Sequence, residues 1–420
     1  MAALRHVSRN SLTHYNTISF FQSTKRLLHS TNTIYNNNDT TQQAKSKSKP
    51  KQYDWLHDAS IVQPYNAQSN LPSRVRIVEV GPRDGLQNES ILIDSQIKIE
   101  LINKLIDCGL TYIEATSFVS PKWVPQMSDN STVINSLPSL SHITYPVLIP
   151  NIQGLNNALQ CRNIHEIAIF ASASETFSQA NINCSIDESL QRFIPIIELA
   201  KQHNIKVRGY VSCVLGCPYE GKISYDAVEY VSRKLLDLGC YEISLGDTIG
   251  IGNAGSTDQL LSYLIHTSNI SYQQLAVHFH DTYGQALNNI YVALQHQINV
   301  IDSSVSGLGG CPYAKGATGN VATEDVLYML NGLGIHTGID MKKLVDTSWW
   351  ISKQLDRVPT SKVSKTFKDR SNNNHINNIC SLPSNNNNQS QSATQQTPVK
   401  LSLTSPIQQP TGNGSKRSFA

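Results

Sequence analysis

Eight short runs rich in apolar and β-branched residues recur at regular intervals, at residues 76–80, 112–116, 143–149, 166–171, 207–214, 241–245, 275–279 and 300–305. Runs of this length and texture read as strands, and the segments between them carry helical signals. Ile97, Leu101, Leu105 and Ile106 form one helical face that ends at Gly109, and Val228, Val231, Leu235 and Leu238 form another. Ser185-x-x-Glu188 is a capping box for a helix that Pro195 is expected to kink or shorten, and Ser256-x-x-Gln259 is expected to cap a further helix. Strands alternating with helices imply a parallel α/β sheet, and the count of eight implies a closed (β/α)8 barrel, the TIM-barrel architecture. A doubly wound open sheet is the alternative. It would want a GxGxxG turn after the first strand, where Gly81-Pro82-Arg83-Asp84-Gly85 stands instead. Beyond Gly334 there is room for extra C-terminal helices, with Leu344, Val345, Trp349 and Leu355 as a packing face.

The barrel reading accounts for residues 74–358 of the 420. Residues 1–70 hold Arg5, Arg9, Lys25 and Arg26 among Ser, Thr, Leu and Phe, with no acidic residue before Asp39. That composition predicts a mitochondrial transit peptide followed by a Lys/Gln/Ser linker, hence a matrix location; a disordered arm is the alternative. Residues 359–420 are rich in Asn, Gln and Ser, with Asn385 to Asn388 in a row, and are expected to form a disordered tail. The formal net charge of +3 lies largely in the N-terminal segment, which argues against a nucleic-acid partner. No apolar run approaches the roughly 20 residues needed to span a bilayer, so no membrane partner is expected. The eight cysteines contain no CxxC and suggest a reduced compartment without a disulfide framework. Cys108, Cys161 and Cys240 are expected to be buried.

In a closed barrel the chemistry gathers at the C-terminal ends of the strands. His278 and His280 are two apart on the seventh strand, so both imidazoles project from one face and can share one metal ion. Arg83 and Asp84 follow the first strand, Glu114 ends the second, Asp247 follows the sixth, and Asn320 follows the eighth. Carboxylate, imidazole and amide oxygen form a mixed set suited to Mg2+, Mn2+ or a similar cation, with positions left open for substrate. Taken singly, Asp84 reads equally as a turn residue, Glu114 as half of an ion pair and Asn320 as a helix cap. The loop after the eighth strand has five glycines between Gly307 and Gly319 and a single thiol, Cys311. It reads as a lid that completes the site; a tight turn with an inert cysteine is the alternative.

Four stretches carry a family resemblance. Val78-Glu79-Val80-Gly81-Pro82-Arg83-Asp84-Gly85-Leu86-Gln87-Asn88-Glu89 resembles the opening motif of 3-hydroxy-3-methylglutaryl-CoA lyases. The stretches from Thr116 to Met127 and from Ser244 to Gly250 are similar to further motifs of that family. Gly307-Leu308-Gly309-Gly310-Cys311-Pro312-Tyr313-Ala314 looks like its signature loop. The resemblance runs from about Arg74 to Asp356.

It implies a TIM-barrel lyase that cleaves 3-hydroxy-3-methylglutaryl-CoA into acetyl-CoA and acetoacetate, as in ketone-body formation and leucine degradation. It further implies a homodimer and a divalent cation (Mg2+ or Mn2+) held by Asp84, His278, His280 and Asn320. Arg83 would contact the thioester oxygen, and Cys311 would be the active-site thiol and the acid that protonates C2. The base, Asp84 or one of the histidines, stays open, as do the roles of Glu114 and Asp247. A Claisen-type synthase of the same superfamily would lack the Cys-Pro-Tyr loop; a non-catalytic barrel would be expected to have lost part of the set.

Overall fold

The computed structural model describes residues 70–310 and 319–367. The expected transit segment before residue 70, most of the Asn-rich tail and Cys311 itself lie outside the described residues.

The strands are β1 (Arg76–Glu79), β2 in two halves (Tyr112–Ile113 and Thr116–Ser117), β3 (Val147–Leu148), β4 (Glu166–Ser172), β5 (Lys206–Ser212), β6 (Glu242–Asp247), β7 (Leu275–Phe279) and β8 (Val300–Ser303). All pair in parallel in chain order, and β8 returns to β1 through Arg76 opposite Val300. One half of β2 pairs with β1 and the other with β3, so the two ends of the strand order are pieces of a single strand. The hydrogen bonds from Ile113 N to Thr144 O and from Ala115 N to Pro146 O stitch the gap. The sheet is therefore the closed eight-stranded barrel expected from the strand count. Its thinnest seam is β7–β8, where Val277 opposite Ile301 is a single registered pair, against five between β6 and β7.

Apolar side chains on the outer strand faces pack under helices α1 (Ser95–Asp107), α2 (Asn130–Ser136), α3 (Ile152–Ala158), α4 (Glu175–Ile182), α5 (Ile186–Gln202), α6 (Tyr225–Leu238), α7 (Ala254–Ser262), α8 (Ala286–Gln295), α9 (Thr323–Gly332) and α10 (Met341–Gln354). The lumen is different in kind. Val78, Val80, Ala276 and Val300 form one small cluster, and Leu148, Ala168 and Tyr210 another. Between them lies a charged network: Arg208, 1% exposed, reaches Glu242 at 2.8 Å and Asp302 at 2.6 Å. Arg76 also pairs with Glu242. Buried charges persist only when matched in this way.

The capping details refine the expectations. Ser185 caps α5 by accepting from Glu188 N at 3.1 Å, but the helix is not shortened at Pro195 and runs its full 17 residues. Pro195 faces solvent, where water can meet the carbonyl that the missing N–H leaves free. The cap of α7 is Asn253, not Ser256. Asn253 Oδ1 accepts from Ser256 N, and Ser256 Oγ accepts from Asn253 N, a reciprocal box three residues earlier than expected. Cys108 and Cys240 are buried, whereas Cys161, just past the end of α3, is only half-buried.

The described structure continues past residue 358, where the sequence places the end of the barrel domain. Residues 362–367 are helical, and Thr360 N donates to Ser306 O at 3.0 Å. Ser361 Oγ donates to Asp325 at 2.8 Å, and Ser364 Oγ donates to Glu324 at 3.1 Å. Hydrogen bonds to buried acids of α9 hold this segment, which composition alone does not reveal. Among the described residues no helix is long and apolar enough to cross a membrane.

Candidate functional site

After β1 the chain makes one wide helical turn, Gly81–Gly85, closed by Gly85 N donating to Val80 O at 3.1 Å. Close approach demands its glycines. A Cβ on Gly81 would lie 2.6 Å from Glu79 Oε1, and one on Gly85 2.7 Å from Leu308 Cβ. This turn aims Arg83 and Asp84 at the barrel mouth. Arg83 Nε and Nη2 reach Glu114 at 2.8 and 2.6 Å, while Nη1 reaches Asp84 at 2.8 Å. Burial alone would depress the guanidinium, but Glu114 and Asp84 outweigh it and hold Arg83 above its ordinary pKa. Tyr210 Oη donates to the same Glu114 oxygen at 3.2 Å, and its ring lies 5.6 Å from the Arg83 guanidinium carbon.

His278 and His280 project into the mouth from the end of β7, ring centroids 5.3 Å apart. Asp84, His278 and His280 bring one ligand atom each within 4.8 Å of one another. Three donors around one ion at about 2.0–2.6 Å have separations of this size. Asn320 follows the loop after β8 and forms a backbone bridge with His280. Its Nδ2 donates to Asp84 Oδ2 at 2.7 Å and to Leu308 O at 3.2 Å. A half-turn flip of the amide would present its oxygen in place of its nitrogen. The donors therefore fit a divalent cation. Among the described residues the buried His280 Nδ1 meets no partner at hydrogen-bonding geometry.

Electrostatics separate the members of the cluster. Burial raises the Asp84 carboxyl, but Arg83, His278 and His280 pull it down to about 2, so it is ionised. Burial and neighbouring His278 push His280 down to about 4, leaving a neutral imidazole. Burial would lower His278 too, but the hydrogen bond and charge of Asp302 reverse the direction.

The other anticipated acids divide. Glu114 is fully buried and engaged with Arg83. Asp247 stays outside the cluster: its Oδ2 accepts from Gly252 N at 2.9 Å and shapes the loop after β6, and burial lifts its carboxyl to about 6. Sequence reasoning missed Asp302, which accepts from Arg208 and Ser244 and touches His278. A lone carboxylate inside the apolar run of β8 was the available signal. It also missed Tyr210 and Glu79.

Above the cluster lies a cavity of about 180 Å3. Its lining includes Arg83, Asp84, Tyr210, His278 and His280 together with the apolar Val119, Val124, Leu148, Pro150, Phe170 and Phe177. A lining of both kinds suits a ligand that carries charged oxygens and apolar parts.

The chain matches the HMGL-like family model over residues 74–351. It is 56% identical over 295 residues to the mitochondrial hydroxymethylglutaryl-CoA lyase of Gallus gallus, covering 70% of this chain and 98% of the relative. It is 53% identical over 319 residues to a cytoplasmic 3-hydroxy-3-methylglutaryl-CoA lyase of Danio rerio, covering 76% and 94%. The crystal structure of hydroxymethylglutaryl-CoA lyase from Pseudomonas aeruginosa superposes with a TM-score of 0.70 at 55% identity, covering 72% of this chain and 99% of that one. An HMG-CoA lyase from Acinetobacter baumannii, solved with coenzyme A and 3-methylmalate, gives 0.66 at 37% identity over 71% and 96%.

Proposed function

From the premise that the chain belongs to the HMGL-like family, we propose that it is a carbon–carbon lyase that cleaves 3-hydroxy-3-methylglutaryl-CoA into acetyl-CoA and acetoacetate. The observation that carries the reading is the convergence of Asp84, His278 and His280 beside Arg83 at the mouth of the barrel. The coenzyme A bound to the Acinetobacter baumannii enzyme supports a CoA-thioester substrate here.

A divalent cation, Mg2+ or Mn2+, held by Asp84, His278, His280 and the Asn320 amide oxygen would supply Lewis acidity towards the substrate's C3 hydroxyl. The chain's own residues do the rest. Asp84 or one of the imidazoles takes the hydroxyl proton, and C2–C3 breaks in the retro-Claisen sense. Acetoacetate departs, and negative charge develops on the thioester oxygen of the acetyl-CoA enolate. Arg83, kept cationic and fixed by Glu114, stabilises that charge more in the transition state than in the ground state. C2 must then be protonated, and by family resemblance the acid is Cys311.

Two further readings rest on the resemblance and the N-terminal composition: the mature enzyme is a homodimer, and the basic, acid-poor leader directs it to the mitochondrial matrix. Mitochondrial and cytoplasmic relatives both exist, so a reporter fused to residues 1–70 tests the address. The activity itself is tested by acetoacetate release from the CoA thioester with and without Mg2+. Condensation of acetyl-CoA with a 2-oxo acid in place of cleavage would favour a synthase and overturn the reading.

A further inference from the structure

Glu79 is the last residue of β1, and its side chain leaves the lumen for the space between barrel and helices, where it is 0% exposed. Its Oε1 accepts from Gly81 N and from Val305 N, each at 2.8 Å, and its Oε2 accepts from Thr323 Oγ1 at 2.6 Å. Its carbonyl accepts from Glu114 N at 2.9 Å. One residue thus touches four pieces of the chain. The first is the turn that bears Arg83 and Asp84, the second is Glu114, the third is the segment after β8, and the fourth is the start of α9, three residues after Asn320. The third and fourth pieces are also joined to each other, through Ser304 N to Val321 O at 3.0 Å and Thr323 N to Ser304 O at 3.1 Å.

We propose that Glu79 is a positioning residue for the cation site, its carboxylate clamping the Arg83–Asp84 turn to the segment that carries Asn320. The inference rests on the lyase reading above for its chemical purpose, but its test does not depend on turnover. Asp84 and Asn320 come from opposite sides of the clamp and meet at 2.7 Å. Water cannot replace the clamp's hydrogen bonds, because the carboxylate is sealed from solvent. The fit of Gly81 and Gly85 against Glu79 and Leu308 leaves the turn one seat, and Glu79 holds it there.

The test is Mn2+ binding to the full chain, followed by loss of the free-ion EPR signal, with circular dichroism to establish folding. Glu79→Ala removes all three side-chain bonds and is expected to weaken Mn2+ by about 10- to 100-fold, the range seen when groups that orient metal ligands are lost. Glu79→Gln keeps an oxygen for Gly81 and Val305, and the Thr323 hydroxyl can turn to accept, so it is expected to restore most of the affinity. That rescue separates positioning from any general effect of removing a buried acid. Thr323→Val breaks the link from Glu79 to the Asn320 segment, together with the Thr323 Oγ1–Ser303 Oγ contact at 2.9 Å, and serves if Glu79→Ala does not fold; it is expected to weaken Mn2+ several-fold. Wild-type affinity in folded Glu79→Ala, or in Thr323→Val if the first variant does not fold, overturns the proposal. A wild-type chain that binds Mn2+ but releases no acetoacetate overturns the lyase reading instead.

Discussion

Asp302 Oδ2 lies 3.2 Å from His278 Nδ1, and the same carboxylate takes two hydrogen bonds from Arg208. Asp302 therefore sets which imidazole nitrogen carries the proton and turns Nε2 towards Asp84, 3.9 Å away. Asp302→Asn keeps the shape but removes the charge that His278 and Arg208 both lean on. Metal affinity is expected to fall by about 10- to 100-fold. Calorimetric titration with Mg2+ or Mn2+ checks it, and unchanged affinity would assign Asp302 to the lumen network alone.

Arg83→Lys keeps a positive charge but loses the planar fork that holds Glu114 and Asp84 together. Loss of a transition-state contact of this type costs about 2.7–4 kcal/mol, or 10²–10³ in rate. Steady-state kinetics should place the loss in kcat. A raised KM with near-normal kcat would make Arg83 a binding residue only.

Gly85→Ala should destabilise through crowding, not through backbone conformation. The new methyl would lie 2.7 Å from Leu308 Cβ and 2.9 Å from Ser304 Oγ. Overpacking of this kind costs about 1–3 kcal/mol, which urea denaturation resolves. A variant as stable as wild type would show that the segment after β8 yields freely.

Burial pushes Glu79 and Glu324 up to about 7, with the charge of Glu324 adding to the effect on Glu79 and that of Asp325 to the effect on Glu324. Their folded-state values lie above the unfolded ones. The stability they contribute is therefore complete below about pH 4.3 and is lost as pH rises through about 7. The thermal midpoint of the wild type should fall between about pH 5 and about pH 8 more steeply than that of Glu324→Gln. Parallel profiles would show that Glu324 does not titrate in this range.

Cys311→Ser should lose most turnover while still binding Mn2+. In alkylation mapping, Cys108, Cys184, Cys213, Cys217 and Cys240 are buried and should react slowly, with half-buried Cys161 ahead of them. Substrate protection of Cys311 is the expected signature. Normal turnover by the serine variant would remove the thiol from the mechanism.

The parts of this molecule legible in the sequence are those governed by short-range periodicity. The two-residue spacing of His278 and His280 placed both on one strand face, and eight apolar runs counted out the barrel. What escaped depends on partners far along the chain. Asp302 meets His278 only because β8 lies beside β7, and Arg208 reaches Asp302 across 94 positions of sequence. Glu79 looked like one polar residue in an apolar run, yet it bonds to Val305 and Thr323, 226 and 244 residues away. Residues 360–367 read as the start of a polar tail because hydrogen bonds to the distant buried acids Glu324 and Asp325 help to hold them in place.

The single registered pair between β7 and β8 makes the seam beside both imidazoles the most sparsely paired in the barrel. Backbone pairing is sparse there, and the side-chain bridge from Arg208 through Asp302 to His278 acts as a rivet across the gap. A cation bound at the mouth would add a second rivet, since Asp84, Asn320 and the two histidines reach it from β1, from the segment after β8 and from β7. Whatever binds only the closed hoop stabilises it by mass action. The ion would therefore also be a fastener, and stripping it should loosen the barrel first beside its own ligands.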